Sequence, residues 1–263
     1  MRQLIYILYI ALLAVAMPVA AATPKVFTVV IDAGHGGVDV GARGNNAVEK
    51  DVNLDVALKL GKMLDKAGNV KVVYTRTDDS FVDLQKRAAI ANEIKADLFV
   101  SLHCNSMSQR TSWRDKVKGT VTYVMGIDAM NENLRVAQRE NSVVSMEDDF
   151  SSKYQAFDVN SDESHIIFEL NQQQHLQQSI AFAQEVQRQM VKVAGRVDAG
   201  VHQDSFIVLA HTAMPAVLVE MDYISNPDVE QFLTSREGAT RIAQALYTAF
   251  VRYRDTLHSS ATH

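Results

Sequence analysis

VVIDAGHGG, residues 29–37, is an apolar strand that runs into a glycine-rich turn with a single histidine, His35. The apolar residues follow one another with little alternation, which is typical of a strand covered on both faces in a parallel sheet. In open α/β sheets, ligands collect beyond the carboxyl ends of the strands. The stretch therefore predicts an α/β fold with His35 at the ligand-binding edge of the sheet.

Further strand-like runs recur along the chain, and the early ones alternate with helix-like segments. The strand-like runs cover 26–32, 70–76, 98–103, 120–125, 206–211 and 216–224. Helix-like spacing covers 50–68, 83–96 and 238–255. This order predicts a single α/β domain over residues 26–255, with a mostly parallel or mixed central sheet flanked by helices on both faces.

Residues 1–22 have the pattern of a secretory signal peptide. Arg2 supplies the positive charge, Leu4 to Met17 form an unbroken apolar run, and small residues end at Ala22. The run is shorter than the ~20 residues that a membrane-spanning helix needs, which favours cleavage over an uncleaved anchor. We expect an exported protein with no membrane span after signal cleavage. No wall-binding repeat is visible, which favours the periplasm over the extracellular cell wall.

The charge balance excludes one large class of partner. The 263 residues carry a formal net charge of −5, with no basic stripe to replace the counterions of nucleic-acid phosphates. We therefore expect no nucleic-acid partner. Cys104 is the single cysteine, so an internal disulfide is impossible, and we expect a buried, unreactive thiol.

Two histidines and one glutamate are expected to meet at the same sheet edge. His103 ends the run LFVSLH, and Glu49 precedes the helix that follows the His35 turn, on its N-terminal side. Two imidazoles and one carboxylate form a three-ligand set for Zn²⁺ that leaves a fourth position open. Each residue alone is compatible with a structural role, but their convergence predicts a zinc site. Because successive strand side chains alternate in direction, Cys104 should point away from it.

A carboxylate lies near the end of the last strand-like run, PAVLVEMDYISN, residues 215–226. Glu220 follows apolar residues, and burying a carboxylate is unfavourable unless it is paired or lies near a cation. One interpretation is a structural ion pair with a lysine or arginine. The functional interpretation is a general base for a water molecule beside the metal. Asp222, two residues further on, is the second candidate for that base.

Several of these motifs, in this order, resemble a known family. The segments VVIDAGHGG, GARG, EKDVNLDVA, YTRTDD, LQKRAAIAN, ADLFVSLHCNS, GTVTYV and PAVLVEMDYISN resemble the zinc-dependent N-acetylmuramoyl-L-alanine amidases of bacterial cell-wall turnover. The resemblance covers roughly residues 26–255. It implies that His35, Glu49 and His103 hold zinc and that Glu220 is the catalytic glutamate. It also implies the reaction, hydrolysis of the amide between N-acetylmuramic acid and L-alanine in peptidoglycan.

The region of about 128–174 interrupts the strand–helix alternation with a long polar insert. Part of it, residues 131–141, has helical spacing. Some amidases that act at division sites carry a helical segment here that blocks the zinc site until an activator displaces it. The resemblance implies that Glu140 is a candidate inhibitory ligand and that an activator protein is a candidate partner. A solvated acidic loop or a wall of the substrate groove are the alternatives.

Two other functions remain open at this stage. A zinc peptidase acting on peptidoglycan stem peptides would use the same ligand types. A non-catalytic wall-binding or activator protein with a relic site is the second alternative, although all four chemistry-bearing positions are filled here.

Overall fold

The computed structural model describes residues 26–126, 133–147 and 162–260, and the predicted signal peptide lies outside them. Six strands form the sheet: β1 (Phe27–Ala33), β2 (Val70–Tyr74), β3 (Leu98–Asn105), β4 (Thr120–Met125), β5 (Asp198–Asp204) and β6 (Ala216–Tyr223). The described helices are α1 (Glu49–Leu64), α2 (Leu84–Glu93), α3 (Asn133–Asn141), α4 (Asp162–Lys192), α5 (Ile207–Ala210), α6 (Pro227–Thr234) and α7 (Arg236–Ser260). Short 3₁₀ helices cover Asp65–Ala67, Arg114–Lys116 and Ser142–Met146.

The strands form one mixed sheet in the order β2-β1-β3-β6-β4-β5. β1 pairs in parallel with β2 and β3, and β3 pairs in parallel with β6. β4 runs antiparallel to β6 and parallel to β5. The carboxyl ends of β1, β3 and β6 therefore lie side by side at one edge, as the ligand-site prediction requires.

Apolar clusters cover both faces of the sheet. Helices α1, α4 and α7 pack on one face, where Val56, Phe182, Val186, Leu246 and Phe250 are buried. The other face is covered by α2, α3, α5 and the 3₁₀ helix Ser142–Met146, with the buried residues Leu84, Ala137, Val144, Phe206 and Leu209. The predicted α/β sheet with helices on both faces is confirmed.

The sheet differs from its prediction in two segments, and the helices α4 and α6 were not predicted. Residues 206–211, predicted as a strand, contain the single helical turn α5, whose Leu209 and Ala210 amides donate to the Phe206 carbonyl oxygen. The prediction was wrong because a short apolar run suits a buried helical turn and a buried strand equally well. The actual strand, β5, was missed because it is a partly exposed edge strand of polar composition that contains Gly200.

Within the described residues, we find no helix that combines the length and the apolar character needed to cross a membrane.

Candidate metal centre

The predicted ligands converge at the carboxyl edge of the sheet. His35 follows β1, His103 lies near the end of the neighbouring β3, and Glu49 is the first residue of α1. The backbone of the turn supports this arrangement, because the amide of Gly34 donates to the Leu102 carbonyl oxygen at 3.0 Å. The turn after β1 is thereby held against the end of β3.

Glu140, the last residue but one of α3, completes a buried cluster with the three predicted ligands. One ligand atom from each of His35, Glu49, His103 and Glu140 lies within 4.8 Å of the others. His35 Nε2 is 3.1 Å from Glu49 Oε1 and 3.0 Å from Glu140 Oε2. His103 Nδ1 is likewise 3.1 Å from Glu49 Oε1 and 3.0 Å from Glu140 Oε2.

Two glycines allow these side chains to approach one another. A Cβ atom at Gly34 would lie 2.3 Å from His103 Nε2, and one at Gly41 would lie 2.5 Å from the His35 ring. Gly41 also has a φ of +66°, which side chains rarely adopt. The glycines around His35 therefore make room for the imidazoles as well as forming the turn.

Outer contacts fix the orientation of the ligands. His35 Nδ1 is 2.7 Å from Asp39 Oδ2, which leaves Nε2 pointing into the cluster. Glu49 accepts hydrogen bonds from the amides of Ala42 at 2.7 Å and Cys104 at 2.8 Å. A histidine whose second nitrogen bonds a carboxylate is the usual arrangement around protein-bound metals.

The electrostatic field of the cluster favours a positive charge at its centre. Burial alone would lower the pKa of His35 and of His103, but the carboxylates of Glu49 and Glu140 raise both, that of His103 to about 9. Burial alone would raise the pKa of Glu49, but the neighbouring His35 lowers it. Burial would also raise the pKa of Glu140, but Arg139 and the two histidines lower it.

The donor set fits a divalent metal ion. His35 Nε2 and Glu140 Oε2 are buried and make no hydrogen bond. Zinc bonds of 2.0–2.2 Å in a tetrahedral site place neighbouring ligand atoms about 3.3–3.6 Å apart. The separations of 3.0–3.1 Å between the histidine nitrogens and the carboxylate oxygens lie just below that range, so the cluster could hold one metal ion.

Glu220 lies beside this cluster, directly opposite His103 in the register of β3 and β6. Its Oε1 accepts from Arg139 Nη2 at 3.2 Å, and its Oε2 is buried without a hydrogen-bond partner. Burial raises the pKa of Glu220 to about 8, because the nearby Glu140 and Glu49 add to desolvation and outweigh Arg139. A carboxyl group with a pKa near neutrality can both accept and return a proton.

Asp222 and Cys104 have different surroundings. Asp222 accepts from the Gly119 amide at 2.7 Å and from Arg196 Nη1 at 3.2 Å. Cys104 is buried, and its Sγ lies 3.6 Å from Asn53 Oδ1. Burial and neighbouring carboxylates raise the pKa of the thiol. Neither side chain belongs to the four-residue cluster.

Two buried arginines hold the backbone of the turn that carries His35. Arg76 donates to the carbonyl oxygens of Ala33 at 2.8 Å and Gly34 at 2.9 Å. Arg87 donates to the same Ala33 oxygen at 2.8 Å and to the His35 oxygen at 2.9 Å. The carbonyl oxygens of all three residues 33–35 therefore accept from these two guanidinium groups, and the path of the turn is fixed.

Sequence reasoning singled out five residues that the structure brings together, namely His35, Glu49, His103, Glu140 and the adjacent Glu220. It missed the contacts that support them. Asp39, Arg76, Arg87 and Arg139 were not singled out. The spacing from His35 to Asp39 was a usable signal for their contact. A tight glycine-rich turn between two residues brings the second side chain back beside the first. The arginines gave no such signal because their acceptors are backbone oxygens that are distant in sequence.

The comparisons with known proteins show the family to which the chain belongs. Residues 29–252 match the family described as N-acetylmuramoyl-L-alanine amidase (Amidase_3). AmiC of Escherichia coli O6:H1, an N-acetylmuramoyl-L-alanine amidase, is 29% identical over 90% of this chain and 55% of its own length. AmiA of Escherichia coli K12, of the same description, is 28% identical over 89% of this chain and 78% of its own length.

A solved structure gives the same result. The N-acetylmuramoyl-L-alanine amidase from Clostridium difficile 630 aligns with a TM-score of 0.65 and 27% identity, over 88% of this chain and 98% of that one. Fold and sequence therefore define an amidase-type α/β domain. This chain belongs to the N-acetylmuramoyl-L-alanine amidase family. It spans about half the length of AmiC.

Proposed function

We propose that this protein is a zinc-dependent N-acetylmuramoyl-L-alanine amidase that hydrolyses the amide between N-acetylmuramic acid and L-alanine in peptidoglycan. One observation carries the proposal: ligand atoms of His35, Glu49 and His103 converge beside Glu220 in a chain of this family. The proposed signal peptide of residues 1–22 favours export, and we propose the periplasm as the location.

In this proposal His35, Glu49 and His103 hold the metal, and Glu220 transfers the proton. When bound, zinc polarises an amide carbonyl and makes a nearby water molecule more acidic. Glu220 accepts a proton from the attacking water and returns it to the alanine nitrogen as the C–N bond breaks. The products are the lactyl carboxylate of the sugar and a peptide with a free N-terminal alanine.

We further propose that α3 holds the site in an inhibited form. The Glu140 carboxylate lies 3.0 Å from a ligand nitrogen of both histidines and would occupy the coordination position that the substrate needs. Arg139, its neighbour, lies 3.2 Å from Glu220 Oε1 and would restrain the base at the same time. One movement of α3 would therefore release both groups. A protein that binds and displaces the segment around α3 would act as an activator.

The test is hydrolysis of purified muropeptides by the zinc-loaded wild type and by Glu140→Ala, with product analysis. We expect Glu140→Ala to cleave faster, about tenfold or more, because the position taken by its carboxylate is opened. Gln138→Ala, at an exposed position of the same helix, is the matched control and should behave like wild type.

The products separate the possible outcomes. Peptides beginning with L-alanine, together with peptide-free glycans, support the amidase reaction. Cleavage within the stem peptide would indicate a peptidase instead. Absence of any product from both proteins would contradict the proposed activity. Equal rates for wild type and Glu140→Ala would contradict the inhibition but leave the reaction supported.

A further inference from the structure

A basic surface loop, residues 106–118, follows β3 directly and has no role in the chemistry described above. Its sequence is SMSQRTSWRDKVK, and it contains the single tryptophan of the chain. Trp113 is 54% exposed, which places it among the most exposed large apolar side chains of the described residues. Tryptophan is enriched at binding interfaces, because its ring offers a large apolar face and its N–H a hydrogen-bond donor.

Both ends of the basic loop are tied to the edge that carries Glu220. At the start, Ser106 O and Oγ each accept from Arg139 Nη1 at 3.2 Å, and Arg139 also contacts Glu220. At the end, the Val117 carbonyl oxygen accepts from Asn226 Nδ2 at 3.0 Å. The loop therefore starts and finishes at the rim of the candidate catalytic site.

Hydrogen bonds within the loop give it a defined shape. The amide of Thr111 donates to the Ser108 oxygen at 3.0 Å, and that of Arg114 donates to the Thr111 oxygen at 3.1 Å. The Lys116 amide donates to the Trp113 oxygen at 2.9 Å in the 3₁₀ helix Arg114–Lys116. The indole is thus presented from a structured turn.

The loop concentrates positive charge in an acidic protein. Arg110, Arg114, Lys116 and Lys118 lie within nine residues of one another, with Asp115 as the one acidic residue among them, while the whole chain has a net charge of −5. Arg110, Lys116 and Lys118 are exposed. A local positive potential of this kind attracts an anionic ligand.

We propose that the basic loop is a substrate-binding surface that engages the peptidoglycan strand next to the bond being cleaved. The Trp113 indole offers an apolar face for a sugar ring, and the exposed cations pair with free carboxylates of the stem peptides. The inference rests on the proposed function, since it takes peptidoglycan as the substrate. Peptidoglycan is an extended polymer that carries both sugar rings for the indole and carboxylates for the cations. A strand bound at the adjoining catalytic site would extend onto the loop.

The experiment measures co-sedimentation with purified sacculi, which does not require turnover. Hydrolysis of sacculi and of a soluble muramyl dipeptide is measured alongside it in the Glu140→Ala background, where the proposed inhibition is relieved. Trp113→Ala and the double variant Lys116→Ala/Lys118→Ala should each weaken sedimentation about threefold to tenfold. Both should raise the amount of sacculi needed for half-maximal rate while leaving the dipeptide rate unchanged. Trp113→Tyr, which keeps an aromatic face, should recover most of the binding.

The matched control is Lys66→Ala/Lys71→Ala, which removes two exposed lysines near the opposite edge of the sheet. It should sediment like wild type. Sedimentation of the loop variants at wild-type levels would overturn the proposal. Anionic phospholipid vesicles are the second probe: loop variants that lose binding to the vesicles but still bind sacculi would also overturn it. If the Glu140→Ala protein binds sacculi through the loop but hydrolyses neither substrate, the proposed reaction fails and the binding surface stands.

Discussion

Glu220 and Glu140 share one buried pocket, yet their surroundings shift their pKa values in opposite directions. Burial raises the pKa of Glu220 to about 8, with Arg139 opposing that shift. Burial would also raise the pKa of Glu140, but Arg139 and the two histidines lower it well below its usual range. Pairs of acids separated in this way take different roles. Glu220 is suited to proton transfer and Glu140 to binding a cation.

The first prediction concerns Glu220→Gln. The amide keeps the size of the side chain but cannot accept and return a proton at neutral pH, so we expect kcat on muropeptides to fall about 10²- to 10⁴-fold. Bound zinc should remain at the wild-type level, because Glu220 is not among the four clustered residues. Full activity in this variant would exclude Glu220 as the base.

At the scale of elements, a buried ion pair connects β1 to α2 beneath the metal-site turn. Arg87 Nη1 donates to Asp32 Oδ1 at 2.8 Å, and Asp32 also accepts from the hydroxyls of Thr75 at 2.6 Å and Ser101 at 2.7 Å. Strands β1 and β3, the residue that follows β2 and helix α2 therefore meet at one carboxylate. Because Arg87 also holds the backbone of residues 33–35, this network links the stability of the sheet edge to the position of His35.

The second prediction concerns Arg87→Met, which leaves the Asp32 carboxylate without its charged partner. Removing one member of a buried pair destabilises a protein by about 3–5 kcal/mol, and we expect a loss of that size in the free energy of unfolding measured with urea. Lys86→Met, at the exposed neighbouring position, should change it little. Equal stabilities for the two variants would contradict the structural role of the pair.

The third prediction is the pH dependence that Asp32 contributes. Burial would raise the pKa of Asp32, but Arg87, Ser101 and Thr75 outweigh it and lower the pKa. A lowered pKa in the folded state adds stability that is present above the unfolded-state value of about 3.9 and is lost as pH falls through the folded-state value. The stability advantage of wild type over Asp32→Asn should therefore be full at pH 6 and shrink below about pH 4. A difference that stays constant from pH 6 to pH 3 would contradict this.

At the scale of the whole molecule, the sequence predicts the sheet and the ligand edge because both follow from local patterns. Apolar runs identified most strands. Because the carboxyl ends of neighbouring parallel strands lie side by side, the proximity of His35 and His103 could be predicted from the strand pattern alone. Glu49 was predictable from its place at the start of α1. The same reasoning could not separate the turn α5 from a strand or find the polar edge strand β5.

The contacts across the insert were beyond local patterns. Glu140 was proposed through family resemblance, and nothing in the spacing of its neighbours shows that α3 returns to the metal-site edge. Arg139 pairs with Glu220 across 81 positions of the chain. Such contacts depend on how the insert packs against the sheet, here through the buried Ala137 and Val144, and that packing is a property of the complete fold.

The central claim is that His35, Glu49 and His103 hold one metal ion, and the zinc content of purified protein tests it most directly. Elemental analysis after extensive dialysis should give about one zinc per chain for wild type, Glu220→Gln and Cys104→Ser. His103→Ala should lose most of the metal while remaining folded by circular dichroism. Wild type without stoichiometric zinc, or His103→Ala with a full complement, would contradict the assignment.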